Sequence, residues 1–355
     1  FFFKQKTAYE IVDCDWNSDV CSSDLEIHKW DLVLDMSVPI DNDIDLKPAL
    51  SKKFMRKIKV LPVVSFFYNR LLKRAQKDYA ERYSEILFDK LNEFIQPDVA
   101  LHVLTQTALN APLIHLFPKA TVSYFEHGQG DYFYVLKDKI NAGNFYCVFA
   151  DQLREYLMVQ NLPVGFVKSF IDTEKFEKAI LFAGRSCQEK VEAISNTAKR
   201  IVIFLMDSCE IYHPPDSFWS DYLQRCLQEI ENPEQFLWVV KPHPNQSNGV
   251  IEKTKTIFQD SGLDFVFLED PVFVSLSAEY LFMKLKHKTD AVFTTFSSAI
   301  FYISHFYPNQ SRYFVLYDFV GKYFTRAPKQ YLEIYRGLNK FYTGMFSDFP
   351  LKRIR

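Results

Sequence analysis

One feature constrains this chain more than any other. Short, nearly continuous apolar runs alternate with longer amphipathic stretches. WDLVLDM (Trp30 to Met36), DVALHVL (Asp98 to Leu104), ATVSYFE (Ala120 to Glu126) and NFYCVFA (Asn144 to Ala150) read as strands, and the charged stretch from about Asn69 to Ile95 reads as helix. Strands that are apolar on both faces and separated by helices belong to parallel sheets covered on each side. The pattern then restarts. Residues 171–199 are polar and helix-prone. RIVIFLMD (Arg200 to Asp207), QFLWVVK (Gln235 to Lys241), DFVFLE (Asp264 to Glu269), DAVFTT (Asp290 to Thr295) and RYFVLYD (Arg312 to Asp318) form a second strand set, with helix over Asp216 to Glu231. The expected fold is α/β, with two Rossmann-like domains over 26–170 and 200–330 whose parallel sheets face a central cleft. Residues 171–199 link them, and 331–355 form a C-terminal helix centred on Tyr331 to Tyr342.

The first 25 residues, Phe1 to Leu25, stand outside this pattern. FFFKQKTAYEI, a short stretch at Val12, Asp13 and Cys14, then DWNSDVCSSDL resemble a translated sequencing adapter with its index in the middle. The segment has neither helical nor strand periodicity and lacks the tripartite build of a signal peptide. It is excluded from the fold reasoning, which implies that the natural start is missing and that the first domain lacks its opening strand. The segment holds two of the 42 basic and five of the 44 acidic residues, which leaves 40 against 39. That balance gives no global pull towards nucleic acid. No apolar run approaches the roughly 20 residues of a membrane span. Cys147, Cys187, Cys209 and Cys226 are scattered without CxxC spacing, which suits buried thiols in a reducing compartment rather than zinc or disulfides.

Open α/β sheets bind ligands at the carboxyl ends of their strands. Three motifs fall there. EHGQGDY (Glu126 to Tyr132) sets a carboxylate beside an imidazole, then two glycines that let backbone approach a ligand. A turn with solvated Glu126 and His127 is the plainer reading. KPHPN (Lys241 to Asn245) holds His243 between two prolines with a cation at the strand end, a fitting place to meet a phosphate or protonate a leaving group. Its plainer reading is a rigid turn. In DAVFTTFSSAIFYI (Asp290 to Ile303) a strand runs through Thr295 into Ser297 and Ser298 at a helix start. Either serine would cap the helix, and a helix amino terminus is also a phosphate site.

In order and placement these motifs resemble bacterial sialyltransferases of the polysialyltransferase-like type, enzymes of the GT-B architecture. The resemblance spans most of residues 26–355 in layout and only these short blocks in detail. It implies an inverting transfer of sialic acid from CMP-sialic acid to a capsule or lipooligosaccharide glycan, without metal or other cofactor. By the same resemblance Glu126 is the base, His243 acts on the donor phosphate, and Ser297 and Ser298 hold CMP. Gly128, Lys241, Pro244, Thr295 and Asp207 complete the expected donor site. His127 stands where the family tends to carry a second acid, so the base is Glu126 or His127. His127-Gly128, Pro242-His243-Pro244 and Ser297-Ser298 are also similar to CDP-glycerol glycerophosphotransferases, although Thr295 and Phe296 depart from that family's Asp and Tyr. A non-catalytic nucleotide-binding subunit of capsule assembly is the third reading.

The remaining features have plainer readings. Asp41 to Asp45 (DNDID) read as a solvated acidic turn rather than a metal site. Lys52, Lys53, Arg56, Lys57, Lys59, Arg70, Lys73, Arg74 and Lys77, interleaved with aromatics, read as a solvated helix face, with peripheral contact to an anionic inner membrane as the functional alternative. A cytoplasmic enzyme with a nucleotide-sugar donor, a glycan acceptor and no nucleic-acid partner is the expectation. His102, His115, His213, His287 and His305 read as structural or solvated.

Overall fold

The computed structural model describes residues 2–3, 30–35, 55–61, 100–104, 121–126, 131–132 and 144–354, the last with breaks at 170–172, 185–186, 208, 210–211, 245, 271–272, 274–275, 325–331, 333–334, 338 and 340–343. The chain divides into two compact units, residues 1–183 and 184–355.

The first unit contains β1 (Phe2–Phe3), β2 (Trp30–Asp35), β3 (Met55–Leu61), β4 (Ala100–Leu104), β5 (Thr121–Phe125), β6 (Asn144–Cys147) and β7 (Val167–Ser169). They form one sheet of order β1-β2-β3 and another of order β4-β5-β6-β7, with every pairing parallel. Helices α1 (Ala150–Val159) and α2 (Thr173–Ala183) flank β7 in the chain. Three expectations are corrected here. Residues 55–61, with Arg56, Lys57 and Lys59, form a strand paired with β2 rather than a helix face, because Met55, Ile58, Val60 and Leu61 give the run enough apolar character to join a ladder. The strand expected over 144–150 stops at Cys147, and Ala150 opens α1. The short β7, with only Val167 buried, carries too weak a pattern to be read beforehand. The expected helix over 69–95, the acidic turn 41–45, and Lys52, Lys53, Arg70, Lys73, Arg74, Lys77 and His115 lie outside the described residues.

The second unit alternates strand and helix almost throughout: α3 (Gln188–Ser195), β8 (Arg200–Leu205), α4 (Phe218–Leu227), β9 (Phe236–Lys241), α5 (Asn248–Asp260), β10 (Asp264–Phe267), α6 (Ala278–Leu285), β11 (Thr289–Thr294), α7 (Ala299–Phe306), β12 (Arg312–Val315), α8 (Tyr317–Gly321) and β13 (Leu351–Arg353). All six strands are parallel, in the order β10-β9-β8-β11-β12-β13. Burial follows position in the sheet. All six residues of β11 are buried, as are five of six in β8 and β9, whereas no residue of β10 or β13 at the edges is fully buried. Central strands covered on both faces need continuous apolar sequence, which made them readable. The 351–353 segment corrects the expected 331–355 helix: it adds β13 to the sheet, pairing Leu351 with Tyr313 and Arg353 with Val315.

The helices form for ordinary reasons. α4 buries Phe218, Trp219, Tyr222, Leu223 and Cys226, one stripe at helical spacing. Ser247 and Ser277 cap α5 and α6, their hydroxyls accepting from Val250 N and Tyr280 N. Chain order from β8 runs outward through β9 to β10, then returns to the other side of β8 as β11. The direction of winding therefore reverses between β8 and β11, the place where doubly wound sheets leave a crevice for ligands. Among the described residues no helix is long and apolar enough to cross a membrane. Cys147, Cys187, Cys209 and Cys226 are buried thiols, as their spacing suggested.

Candidate functional site

The ends of β8, β9 and β11 carry most of the expected donor residues. β8 runs out into Asp207, which is 3% exposed. Its Oδ2 accepts from Thr294 Oγ1 at 2.8 Å, Thr295 N at 2.8 Å and Phe296 N at 3.0 Å, and also from Thr295 Oγ1. The carboxylate thus pins the start of the β11–α7 loop to the end of β8, across the reversal in winding. Burial pushes its carboxyl above the usual carboxylate range, against the pull of these donors. Asp207 and Thr295 were expected to contact the nucleotide. The structure places both inside, with their polar atoms engaged on each other, so they shape the loop that follows.

That loop delivers the serine pair. Ser297 N donates to Thr294 Oγ1 at 2.9 Å, and Ala299 N reaches Ser297 Oγ at 3.4 Å. Ser298 occupies the N-cap position of α7, yet its hydroxyl makes no capping bond. Ser297 and Ser298 are half-buried. Hydroxyls and amide groups thus gather at the amino end of α7, where they suit an anionic oxygen. Phe296 is held by edge contacts to Tyr212 and Phe324 and a tilted contact to Tyr317, which stiffens the loop from behind.

At the end of β9, Lys241 is 5% exposed and its Nζ donates to Pro242 O at 3.3 Å. His243 and Pro244 are half-buried, and the His243 carbonyl accepts from Gln246 N at 2.9 Å, closing a tight turn. Two residues that the motifs did not single out stand with this turn. The Gln246 side-chain amide is buried and neither of its polar atoms has a hydrogen-bond partner. Glu279, in the first turn of α6, has its carboxyl lifted by burial, while the charge of Lys241 and a bond from Ser277 hold it down. Neither carried a sequence signal: one follows a motif, and the other reaches Lys241 only through the fold.

In the first unit Glu126 follows β5 directly. Its backbone N–H extends the ladder to Tyr146 O at 3.0 Å. Its Oε2 accepts from Tyr132 Oη at 2.5 Å and from Val148 N at 2.7 Å. Burial first, and then the charge of Glu126, push the neighbouring Cys147 thiol far up. His127 and Gly128 lie outside the described residues. Among the described residues no group of three or more His, Cys, Asp or Glu is arranged to hold a metal ion. His213 sits in left-handed backbone, and His287 lies within 3.3 Å of Ser195 on the surface.

These features define an α/β chain of two units, with carboxylate, imidazole, cation and hydroxyls collected at strand ends. No protein-family model and no curated protein matches the chain. It is similar to several solved structures. A putative UDP-N-acetylglucosamine 2-epimerase from Listeria monocytogenes is 12% identical, with a TM-score of 0.49 over 98% of this chain and 87% of that one. S. aureus MnaA, in a co-structure with UDP, is 13% identical, with a TM-score of 0.48 over 96% and 86%. The UDP-forming α,α-trehalose-phosphate synthase from Burkholderia vietnamiensis is 11% identical, with a TM-score of 0.41 over 80% and 79%.

Proposed function

We propose that this chain is an inverting glycosyltransferase of GT-B type that moves sialic acid from CMP-sialic acid to a hydroxyl of a cell-surface glycan. The observation that carries the reading is the Asp207 pin. It fixes the Thr294–Ser298 loop beside the ends of β8 and β9, so that Ser297, Ser298, Lys241 and His243 belong to one edge of one sheet. Hydroxyls, a helix amino terminus, an imidazole and an ammonium are the groups that stabilise negative charge gathering on a departing nucleotide phosphate. Glu126 takes the proton from the acceptor hydroxyl as its oxygen attacks the anomeric carbon. Protein cations and dipoles serve where other transferases use a metal. The work is done at the inner face of the cytoplasmic membrane, where capsule and lipooligosaccharide acceptors are built.

The test is CMP release from CMP-sialic acid by the full chain, with His243→Ala alongside. Release that depends on the donor and falls about a hundredfold or more in His243→Ala supports the reading. Turnover of CDP-glycerol but not of CMP-sialic acid replaces it with glycerophosphoryl transfer. CMP binding without turnover of either donor replaces it with a nucleotide-binding subunit.

A further inference from the structure

Tyr132 closes the EHGQGDY motif. Its ring is completely buried, with an edge contact to Phe145 at 5.7 Å and a tilted contact to Phe149 at 5.9 Å between centroids. Its hydroxyl meets Phe149 N and Glu126 Oε2, with the Cys147 thiol also close enough to bond. Phe149 N donates to Tyr132 Oη at 3.1 Å, and Tyr132 Oη lies 2.5 Å from Glu126 Oε2. A backbone N–H can only donate. The phenol oxygen therefore accepts on that side, and its single hydrogen points at Glu126. Val148 N, also a donor only, approaches the same carboxylate oxygen at 2.7 Å.

From this geometry we infer that Tyr132 is a positioning residue for the base. With the amide of Val148 it holds Oε2 and so fixes the orientation of the Glu126 carboxylate that receives the acceptor's proton. The inference rests on the reading of Glu126 as the base of a transfer reaction. The proton balance is simple: it leaves the acceptor hydroxyl as the new C–O bond forms, arrives on the Glu126 carboxylate, and the bond to the nucleotide phosphate breaks with its electrons on the phosphate oxygen. Tyr132 keeps its own hydrogen throughout. The sequence spacing serves this arrangement. The chain leaves β5 at Glu126 and returns six residues later with the phenol beneath the carboxylate, while the end of β6 supplies Val148 and Phe149.

The experiment uses the full chain, CMP-sialic acid as donor, and Tyr132→Phe in two backgrounds, wild type and Glu126→Asp. Phenylalanine keeps the packing and removes the hydroxyl. In the wild-type background kcat for CMP release should fall about tenfold to a hundredfold, the scale of one hydrogen bond to a charged group. KM for the donor and CMP binding by calorimetry should stay within about twofold, since neither involves Glu126. In Glu126→Asp, whose shorter side chain draws the carboxylate back from the phenol, the same change should cost less than about threefold. An equal fold-loss in both backgrounds, or a loss carried by KM and CMP affinity, means that Tyr132 only supports the fold and overturns the inference. No loss in the wild-type background overturns it as well. A wild-type chain that binds CMP but releases none from CMP-sialic acid removes the reaction itself, and that failure is seen before any variant is made.

Discussion

Asp207 shows how much of a site can hang on one oxygen. Its Oδ2 serves two backbone N–H groups and two threonine hydroxyls in a dry environment. Removing the acceptor strands Thr295 N and Phe296 N. Asp207→Ala should therefore cost about 3 kcal/mol, read as a lower urea midpoint, and should weaken CMP binding as the serine loop loosens. Asp207→Asn keeps one acceptor oxygen and should cost about 1 kcal/mol. The pH dependence has a definite sign. Burial raises the folded carboxyl above its unfolded value. The stability it contributes is then full below the ordinary carboxylate pKa of about 3.9 and is lost as pH rises through the folded value. Wild type measured against Asp207→Asn should gain stability on acidification through that window, and a difference that is flat or reversed in sign would show that the four donors outweigh burial. From the sequence, Asp207 could be placed at a strand end but not aimed. Its direction is set by where Thr294 and Thr295 lie, almost ninety residues later in the chain. Glu279 was hidden for the same reason, whereas Tyr132 stood in the same motif as Glu126 and only its direction, towards that carboxylate, needed the fold.

Among the elements, the sheet of the second unit separates function from support. Its carboxyl edge holds the candidate site. Its amino edge holds Asp290, nearly buried, paired with Arg200 at 2.6 Å on one side and with Arg312 on the other, so that one carboxylate ties the starts of β8 and β12 across β11. Removing a cation leaves the buried carboxylate less compensated, whereas removing the carboxylate leaves only arginines that solvent reaches. Asp290→Ala should therefore lower stability by only about 1 kcal/mol in urea unfolding, yet leave CMP affinity unchanged because it lies at the opposite end of the strands. A parallel loss of CMP affinity would mean that the two edges are coupled. The contrast with Asp207→Ala, which should lose both, is the useful comparison. The same sheet explains which elements could be read in advance. β8, β9 and β11 are covered on both faces and so are written in unbroken apolar sequence. β13, reading Leu-Lys-Arg, and β7, reading Val-Lys-Ser, are short edge strands whose outward residues are free to be polar. β3 alternates cations with apolar residues and looked like a basic helix face for that reason.

At the level of the whole chain, the division after residue 183 assigns the expected donor residues, Gly128 excepted, and the expected base to different units. Lys241, His243, Ser297, Ser298 and the Asp207 pin all belong to the second, whose six-stranded sheet runs from β8 to β13 without a strand from the first. Glu126, Tyr132 and the backbone of Val148 and Phe149 belong to the first. If nucleotide recognition is complete within one sheet, a fragment of residues 184–355 should fold, because it keeps its own buried core, and should bind CMP within about threefold of the full chain. The same fragment should release no CMP from CMP-sialic acid, because the base is absent. Calorimetry on the fragment and the full chain decides the first point, and the release assay decides the second. Loss of CMP binding in a folded fragment would show that the first unit supplies part of the donor site. Turnover retained by the fragment would place the base in the second unit, where Glu279, which feels the charge of Lys241, would be the carboxyl to examine.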